Sequence, residues 1–287
     1  MITARGSNLS DFGIRPASET ILYSLAESEC ACWLKKDGAH IVCHRGRYWH
    51  EVKPGFYDTV HLLARLAARE ATRPAALSWG FRATLKPGET SAANSSVPVH
   101  LLSDVEGYHL EKLPNNRRND IRRCLKRLQI VEVTGPRLLH EQGWEVMASS
   151  IKRVTGAKPP TRSNYESALE SYVNPARRLI LAGLVGDRLA GYITTYAVEG
   201  TAYVERAYYQ TELMATNVSA GLLYEFIQIC RRSPGISEIV HGLHTRENPG
   251  LTSYKISLGF PVVHIPTRVG MNPLIRAFLL HRRRDVY

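Results

Sequence analysis

The chain has 287 residues, 44% apolar and 22% charged, the balance of a globular protein with one large core or two smaller ones, which argues against long disorder. Lys and Arg outnumber Asp and Glu by 37 to 26, a formal net charge of +11. An anionic partner is therefore expected: RNA, a phosphate-bearing cofactor, an acidic carrier protein or an anionic membrane surface. The five cysteines, Cys30, Cys32, Cys43, Cys124 and Cys230, are odd in number, lack the spacing of a disulfide framework or zinc site, and read as reduced thiols with no metal. No apolar run approaches the ~20 residues of a spanning helix, and the N-terminal stretch has no signal-peptide core. A cytoplasmic protein without a membrane span is expected.

Three strand-like runs open the chain, "ECACWLKK", "AHIVCHRG" and "RYWHEV", with Asp37-Gly38 as a hairpin turn. In the first, alternation places Cys30 and Cys32 on one face. "PGFYDTVHLLARLAAREATR" follows, with Val60, Leu63, Ala64 and Ala67 at helical spacing, and then the strand "ALSWGFRATL". "KPGETSAANSS" is small, polar and loop-like. The middle predicts a helix in "LPNNRRNDIRRCLKRL", where Ile121, Cys124, Leu125 and Leu128 form the apolar stripe and Arg117, Arg118, Arg122, Arg123, Lys126 and Arg127 take the other turns. Such a basic face is either simply solvated or a contact for RNA or another anion.

Two more helices are predicted over Leu138–Val154 and Asn164–Tyr172. "RRLILAGLV" and "LAGYITTYAV" then form a hairpin about Gly186-Asp187, "TAYVERAYYQ" a strand, "NVSAGLLYEFIQICRR" a helix and "SEIVHGL" a strand. Hairpin, strand, helix and strand thus occur twice, which predicts two related units, 1–100 and 101–287. The last helix lies in "ENPGLTSYKISLGF", with Asn248 capping it and Pro249 in its first turn. No G-x-S-x-G, Walker loop or G-x-G-x-x-G occurs, so hydrolase, P-loop and Rossmann chemistry have no local support.

Asn248, Lys255 seven residues on, and then Leu258-Gly259-Phe260 resemble the C-terminal signature of the GNAT acyltransferase superfamily. Lys255 stands where ordinary GNATs more often have Tyr, and in this it is closer to the Fem-type peptidoglycan amino-acid transferases. The Arg-rich segment is similar to the "R-x-x-I-R-K" helix of that branch, and the tandem arrangement matches it. The resemblance covers about residues 108–270 and implies a mixed α/β, GNAT-like fold, two units in tandem. It implies an N-acyltransferase that moves an acyl group from acyl-CoA or a carrier protein to a small-molecule or peptide amine.

Within that resemblance, Lys255 stabilises charge, Tyr254 acts as general acid, and Glu205 takes the amine's proton. A solvent-facing lysine, a core tyrosine and a Glu–Arg surface pair are the corresponding structural readings. Strand alternation puts Glu205 on a face with Tyr203, Ala207 and Tyr209. Backbone donors around Tyr208, Tyr209 and Gln210 bind the donor carbonyl, Thr216, Asn217 and Ser219 offer helix N-terminal amides to its phosphate, and Asn248 bonds its amide arm. His241 and His244 are the histidines nearest this site. Where GNATs carry a Gly-rich turn for the CoA pyrophosphate, residues 214–219 read Met-Ala-Thr-Asn-Val-Ser, with no Gly before Gly221, and β-carbons hinder backbone approach to a phosphate. Aminoacyl-tRNA, the donor of Fem-type enzymes, is the alternative, and a non-catalytic scaffold that binds RNA or another anion is a third reading.

Overall fold

The computed structural model describes residues 13–174, 176–245 and 247–272. They fall into two compact units, a larger one of residues up to Ser24 with His100–Pro261 and a smaller one of Leu25–Val99 with the stretch from Val262. Short strands β1 (Ile14–Pro16) and β2 (Ser24–Leu25) precede α1 (Glu27–Lys36). Then come β3 (Ile41–His44), β4 (Arg47–Lys53), β5 (Phe56–Thr59) and β6 (Gly80–Thr84). Along β7 (Ser95–Leu102) the chain leaves the smaller unit for the larger.

Two local expectations fail in the smaller unit. "ECACWLKK" is the helix α1, not a strand. The Ala26 amide donates to Glu29 at 2.7 Å, Glu27 and Glu29 occupy the first turn and Lys35 and Lys36 the last. Both ends thus match the helix dipole. Its inner face buries Glu27, Cys30, Ala31 and Trp33, so Cys30 is buried while Cys32 is exposed, and the two do not share a face. The predicted helix from Pro54 is instead β5 followed by irregular chain, in which Arg65 adopts φ 45° and Leu66 bridges to Leu85. Its helical spacing is overridden because Tyr57, Ala64, Leu66 and Ala71 fill a core with Trp49 and Phe81, whose rings meet edge to face at 5.7 Å.

The larger unit continues with α2 (Asn115–Arg127), β8 (Gln129–Val133), α3 (Trp144–Thr155), α4 (Arg162–Tyr172), β9 (Leu179–Val185), β10 (Arg188–Val198) and β11 (Thr201–Tyr209). After it come α5 (Val218–Arg232), β12 (Glu238–Leu243), α6 (Pro249–Ser257) and β13 (Val262–Met271), the last of which returns to the smaller unit. Strand order here is β1-β8-β9-β10-β11-β12. Each neighbour is antiparallel except the last pair. The smaller unit repeats this pairing scheme. β3, β4 and β5 are antiparallel, β5 and β6 parallel, and β13 lies antiparallel to β6. What recurs is the pairing, not the elements, since the crossover holds α5 in the larger unit and irregular chain in the smaller.

Apolar residues cover both faces of the larger unit's sheet, as the unbroken run of β9 requires. Leu179 and Leu181 join the cluster under α2 and α5, while Ile180, Ala182 and Leu184 join the one under α3 and α4. Helices α2 and α5 meet at Gly221, where an added β-carbon would stand 2.0 Å from Cys124 Sγ. Gly221→Ala is therefore expected to lower unfolding free energy by about 1–3 kcal/mol through overpacking. Urea denaturation should show part of that loss restored when Cys124→Gly is added, and no restoration would mean that the two positions are uncoupled.

Candidate active site

β11 is regular up to Val204 and changes at the next residue. Across the β10 pairing, Thr195 faces Val204 and Thr194 faces Arg206, which leaves Glu205 as the extra residue of a β-bulge. The bulge breaks side-chain alternation. Val204, Ala207 and Tyr209 pack toward the α2–α5 cluster. Glu205 and Arg206, though consecutive, both approach Tyr172 on the other face. The expected grouping of Glu205 with Ala207 and Tyr209 is thereby corrected.

Glu205 is held from several sides. Arg178, a buried side chain at the entry to β9, grips it with Nε donating to Oε2 at 2.7 Å and Nη2 to Oε1 at 3.1 Å. Thr194 Oγ1 donates at 3.2 Å and the Tyr172 hydroxyl lies 3.4 Å away. Arg178 also stacks 4.0 Å over the Tyr172 ring and donates to the Tyr172 carbonyl at 3.0 Å. Both of its oxygens thus accept from one bidentate guanidinium, which fixes the carboxylate in place.

β12 pairs with β11 at Thr201–Glu238, Ala202–Ile239 and Tyr203–Val240. No later pair forms between them among the described residues, so from the bulge onward one edge of β11 is open. The Gln210 amide donates to the Ala190 carbonyl at 2.9 Å across the Gly191–Tyr209 pair. Since successive amides alternate between strand edges, those of Tyr209 and Ala207 face the open side. Of the three residues expected to bind a carbonyl, Gln210 has thus spent its amide, while its buried side-chain Oε1 has no partner among the described residues. The Tyr208 side chain turns away to lie 5.3 Å from the Tyr192 ring.

Between β11 and α5, the expected loop is a 3-10 helix, Thr211–Thr216. The carbonyls of Gln210 and Met214 take the amides of Leu213 and Asn217, at 3.1 and 3.0 Å, and Thr216 Oγ1 donates to the Leu213 carbonyl. Asn217 adopts the left-handed conformation, φ 59°, and neither it nor Thr216 caps α5 through its side chain. Among the described residues, the amides of Val218 and Ser219 have no backbone partner. Residues 214–219 thus offer the amides of Val218 and Ser219 at the start of α5, with no glycine beside them. Gly221, its first glycine, serves the α2 contact.

On α6, Asn248 caps the helix, its Oδ1 accepting from the Leu251 amide at 3.0 Å. Tyr254 and Lys255 diverge. The Tyr254 hydroxyl donates to Ser219 Oγ at 2.8 Å under the Arg117 guanidinium, 5.0 Å above its ring, and burial raises its pKa. Lys255 is buried at 8% exposure, with Nζ donating to the His241 carbonyl at 2.7 Å. It is therefore not a solvent-facing lysine, and burial lowers its pKa. Burial, with Lys255 nearby, pushes the His241 imidazole down to about 3, and its Nδ1 has no partner among the described residues. His244 lies with His100, rings 5.5 Å apart. Of the basic residues of α2, Arg117 turns inward to Ser257 and Asp120 and Arg118 is half-buried. Arg122, Arg123 and Lys126 are exposed.

Beside the bulge lies a cavity of about 150 Å³ that sequence reasoning missed. Leu139, Met147, Pro160 and Leu169 line its helical side, and Tyr165, Tyr172, Tyr192, Tyr208 and Arg206 the rest. Leu139 enters through a π-helical turn, Leu139–Gly143, that precedes α3. At Gly143 an added β-carbon would stand 2.2 Å from the Tyr165 hydroxyl, so a larger residue would displace that ring. No sequence signal announces a bulge that lacks a glycine, and Arg178 reads as an ordinary charge before an apolar strand.

These features can be set beside known proteins. The chain superposes on FemX with a TM-score of 0.60 and 9% identity, over 87% of this chain and 92% of that one. The chain thus shares the fold of FemX. A C-terminal domain from Agrobacterium fabrum, described as that of a lysylphosphatidylglycerol synthetase, gives 0.56 and 10% over 88% and 96%. L-PGS from Bacillus licheniformis gives 0.53 and 9% over 92% and 98%. No family model and no curated protein matches the sequence. Among the described residues, no helix is long and apolar enough to cross a membrane and no group of three His, Cys, Asp or Glu side chains could hold a metal.

Glu205→Gln separates positioning from proton transfer. Leaving Arg178 with a neutral partner should cost about 2–4 kcal/mol in unfolding free energy, measured by denaturant titration. A loss below about 0.5 kcal/mol would show that the pair does not hold the bulge.

Proposed function

We propose that the chain transfers an acyl group from an activated ester or thioester to an amine, with the reacting carbonyl in the gap between β11 and β12. The observation that carries this reading is the open edge beyond Tyr203 and Val240, toward which the Tyr209 amide points. A fixed amide at an open strand edge is an oxyanion donor that needs no reorganisation as charge develops. The amine nitrogen attacks the carbonyl carbon, and the oxygen takes up the charge at the Tyr209 amide. The carbon–oxygen or carbon–sulfur bond then breaks, and the leaving group receives the proton that the amine gives up. Alignment supplies most of the rate, because activated esters are intrinsically reactive toward amines.

In this reading Lys255 contributes positive charge at the end of β12, and Tyr254, bonded to Ser219, orders the start of α5 and supplies a proton on the leaving-group side. Glu205 shapes β11 through its bulge instead of accepting the amine's proton. Two observations favour an aminoacyl ester on RNA over acyl-CoA or an acylated carrier protein. Residues 214–219, where a CoA pyrophosphate would lie, carry no glycine, and β-carbons hinder backbone approach to a phosphate. The exposed Arg122, Arg123 and Lys126 form no ion pair among the described residues, and can follow a phosphate backbone.

Incubation with charged tRNA, acetyl-CoA, longer acyl-CoAs and acylated carrier protein, each with a mixture of amines, followed by mass spectrometry, tests the reading. Amide product from charged tRNA is expected, suppressed by salt, and Lys255→Met should lower kcat by about 10²–10³-fold. Product from CoA esters alone would transfer the donor assignment to CoA. RNA binding without transfer from any donor would leave only a binding scaffold. If Glu205 is not the base, Glu205→Gln keeps the acid limb of the pH–rate profile, and a vanished limb would reinstate it.

A further inference from the structure

The cavity beside the bulge is small enough to name its occupant. At about 150 Å³ it matches the space that takes up a single benzene ring. Its walls suit such a ring. Leu139, Leu169 and Met147 are apolar, and the tyrosines present their rings because their hydroxyls are engaged elsewhere. Tyr165 and Tyr192 meet hydroxyl to hydroxyl at 3.4 Å, and Tyr172 donates to Thr194 Oγ1 at 2.8 Å. Burial raises the pKa of Tyr165 and of Tyr172, each to about 12, so both rings are uncharged at neutral pH.

Charge decides the rest of the ligand. Among the described residues, Arg206 is the one charged side chain lining the cavity. The carboxylate next to it in sequence, Glu205, is already neutralised by Arg178. The cavity is thus biased toward an anion and against an ammonium. The Arg206 guanidinium stands 5.5 Å from the Tyr172 ring centre and is hydrogen-bonded to Tyr208, three residues or fewer along β11 from the open-edge amide of Tyr209. Three residues of strand span about 10 Å, a distance covered by an arginine side chain plus the carboxylate-to-amine span of an amino acid.

We propose that the amine acceptor is a free α-amino acid with an uncharged, ring-sized side chain. The ring occupies the tyrosine-walled cavity, the carboxylate pairs with Arg206, and the α-amine emerges at the edge amide of Tyr209. This rests on the acyl-transfer reading and adds the acceptor to it. The α-amine nitrogen forms the new bond to the donor's carbonyl carbon, the donor's ester or thioester bond breaks, and the amine's proton leaves with the alcohol or thiol.

Binding measured without any donor separates the two claims. Titration calorimetry should detect L-phenylalanine and 3-phenylpropionate, with phenethylamine at least about tenfold weaker and L-lysine undetected. Arg206→Gln should erase the preference for 3-phenylpropionate over phenethylamine. Ala168→Phe, which fills the cavity, should abolish binding of all ring probes. Met147→Phe serves the same purpose if Ala168→Phe lowers the melting temperature. Phenethylamine or lysine binding as tightly as 3-phenylpropionate overturns the proposal, as does unchanged affinity in a folded cavity-filled variant. Binding as described with no transfer from any donor overturns the acceptor role along with acyl transfer. Transfer onto amines that lack the ring and carboxylate overturns the acceptor assignment alone.

Discussion

The bidentate contact between Arg178 and Glu205 is the constraint on which the site depends. Glu205 is an extra residue in β11, and an unpaired bulge residue with a charged side chain would otherwise be free to slip back into register. The guanidinium fixes it from the entry to β9, across β10, with Thr194 and Tyr172 completing the hold. Three consequences follow from that one fixed residue. The phase of the strand changes, so Arg206 and Tyr208 reach the tyrosine-walled cavity. Pairing of β11 with β12 ends at Tyr203. The edge so opened carries an amide facing a gap instead of a partner strand. A bulge beside a site re-aims side chains and ends pairing, and here it does both.

The second constraint is the close packing of α2 on α5. Gly221 lets the Cys124 side chain approach the helix backbone. This sets α2 against the start of α5, where Arg117 lies over Tyr254 and Tyr254 bonds Ser219. Residues from three helices therefore meet where α5 begins. The glycine that could have made a phosphate-binding turn is committed to helix packing, and the preceding turn is wound into a 3-10 helix. Exposed arginines on α2 add to the net charge of +11.

Much of the larger unit was legible in the sequence. The apolar stripe of α2, the unbroken run of β9, the turn at Gly186-Asp187 and the cap at Asn248 all follow from local pattern and stereochemistry. The spacing from Asn248 to Gly259 carried the resemblance to the fold. In the smaller unit local pattern misled twice. α1 was hidden because Cys30-Ala31-Cys32 alternates as a strand would, while the evidence for a helix lay in the charges at its two ends. The helical spacing after Pro54 lost to sheet pairing by Phe56–Thr59 and to a core built around Trp49. Strands β7, β8 and β13 were not predicted.

The site was legible in its parts more than in its arrangement. Lys255 and Tyr254 are neighbours in sequence, yet helix geometry turns one to β12 and the other to α5. Arg178 and Glu205 are 27 residues apart, and nothing local links them. The cavity collects tyrosines from α4, β10 and β11, a convergence that only the tertiary fold produces.

The central claim is that the open edge of β11 receives the reacting carbonyl. A structure of the protein with a stable ketone analogue of the aminoacyl ester tests it most directly. The account predicts the ketone oxygen about 2.7–3.1 Å from the Tyr209 amide nitrogen. A ketone bound away from the gap between β11 and β12, with that amide still facing solvent, would contradict it.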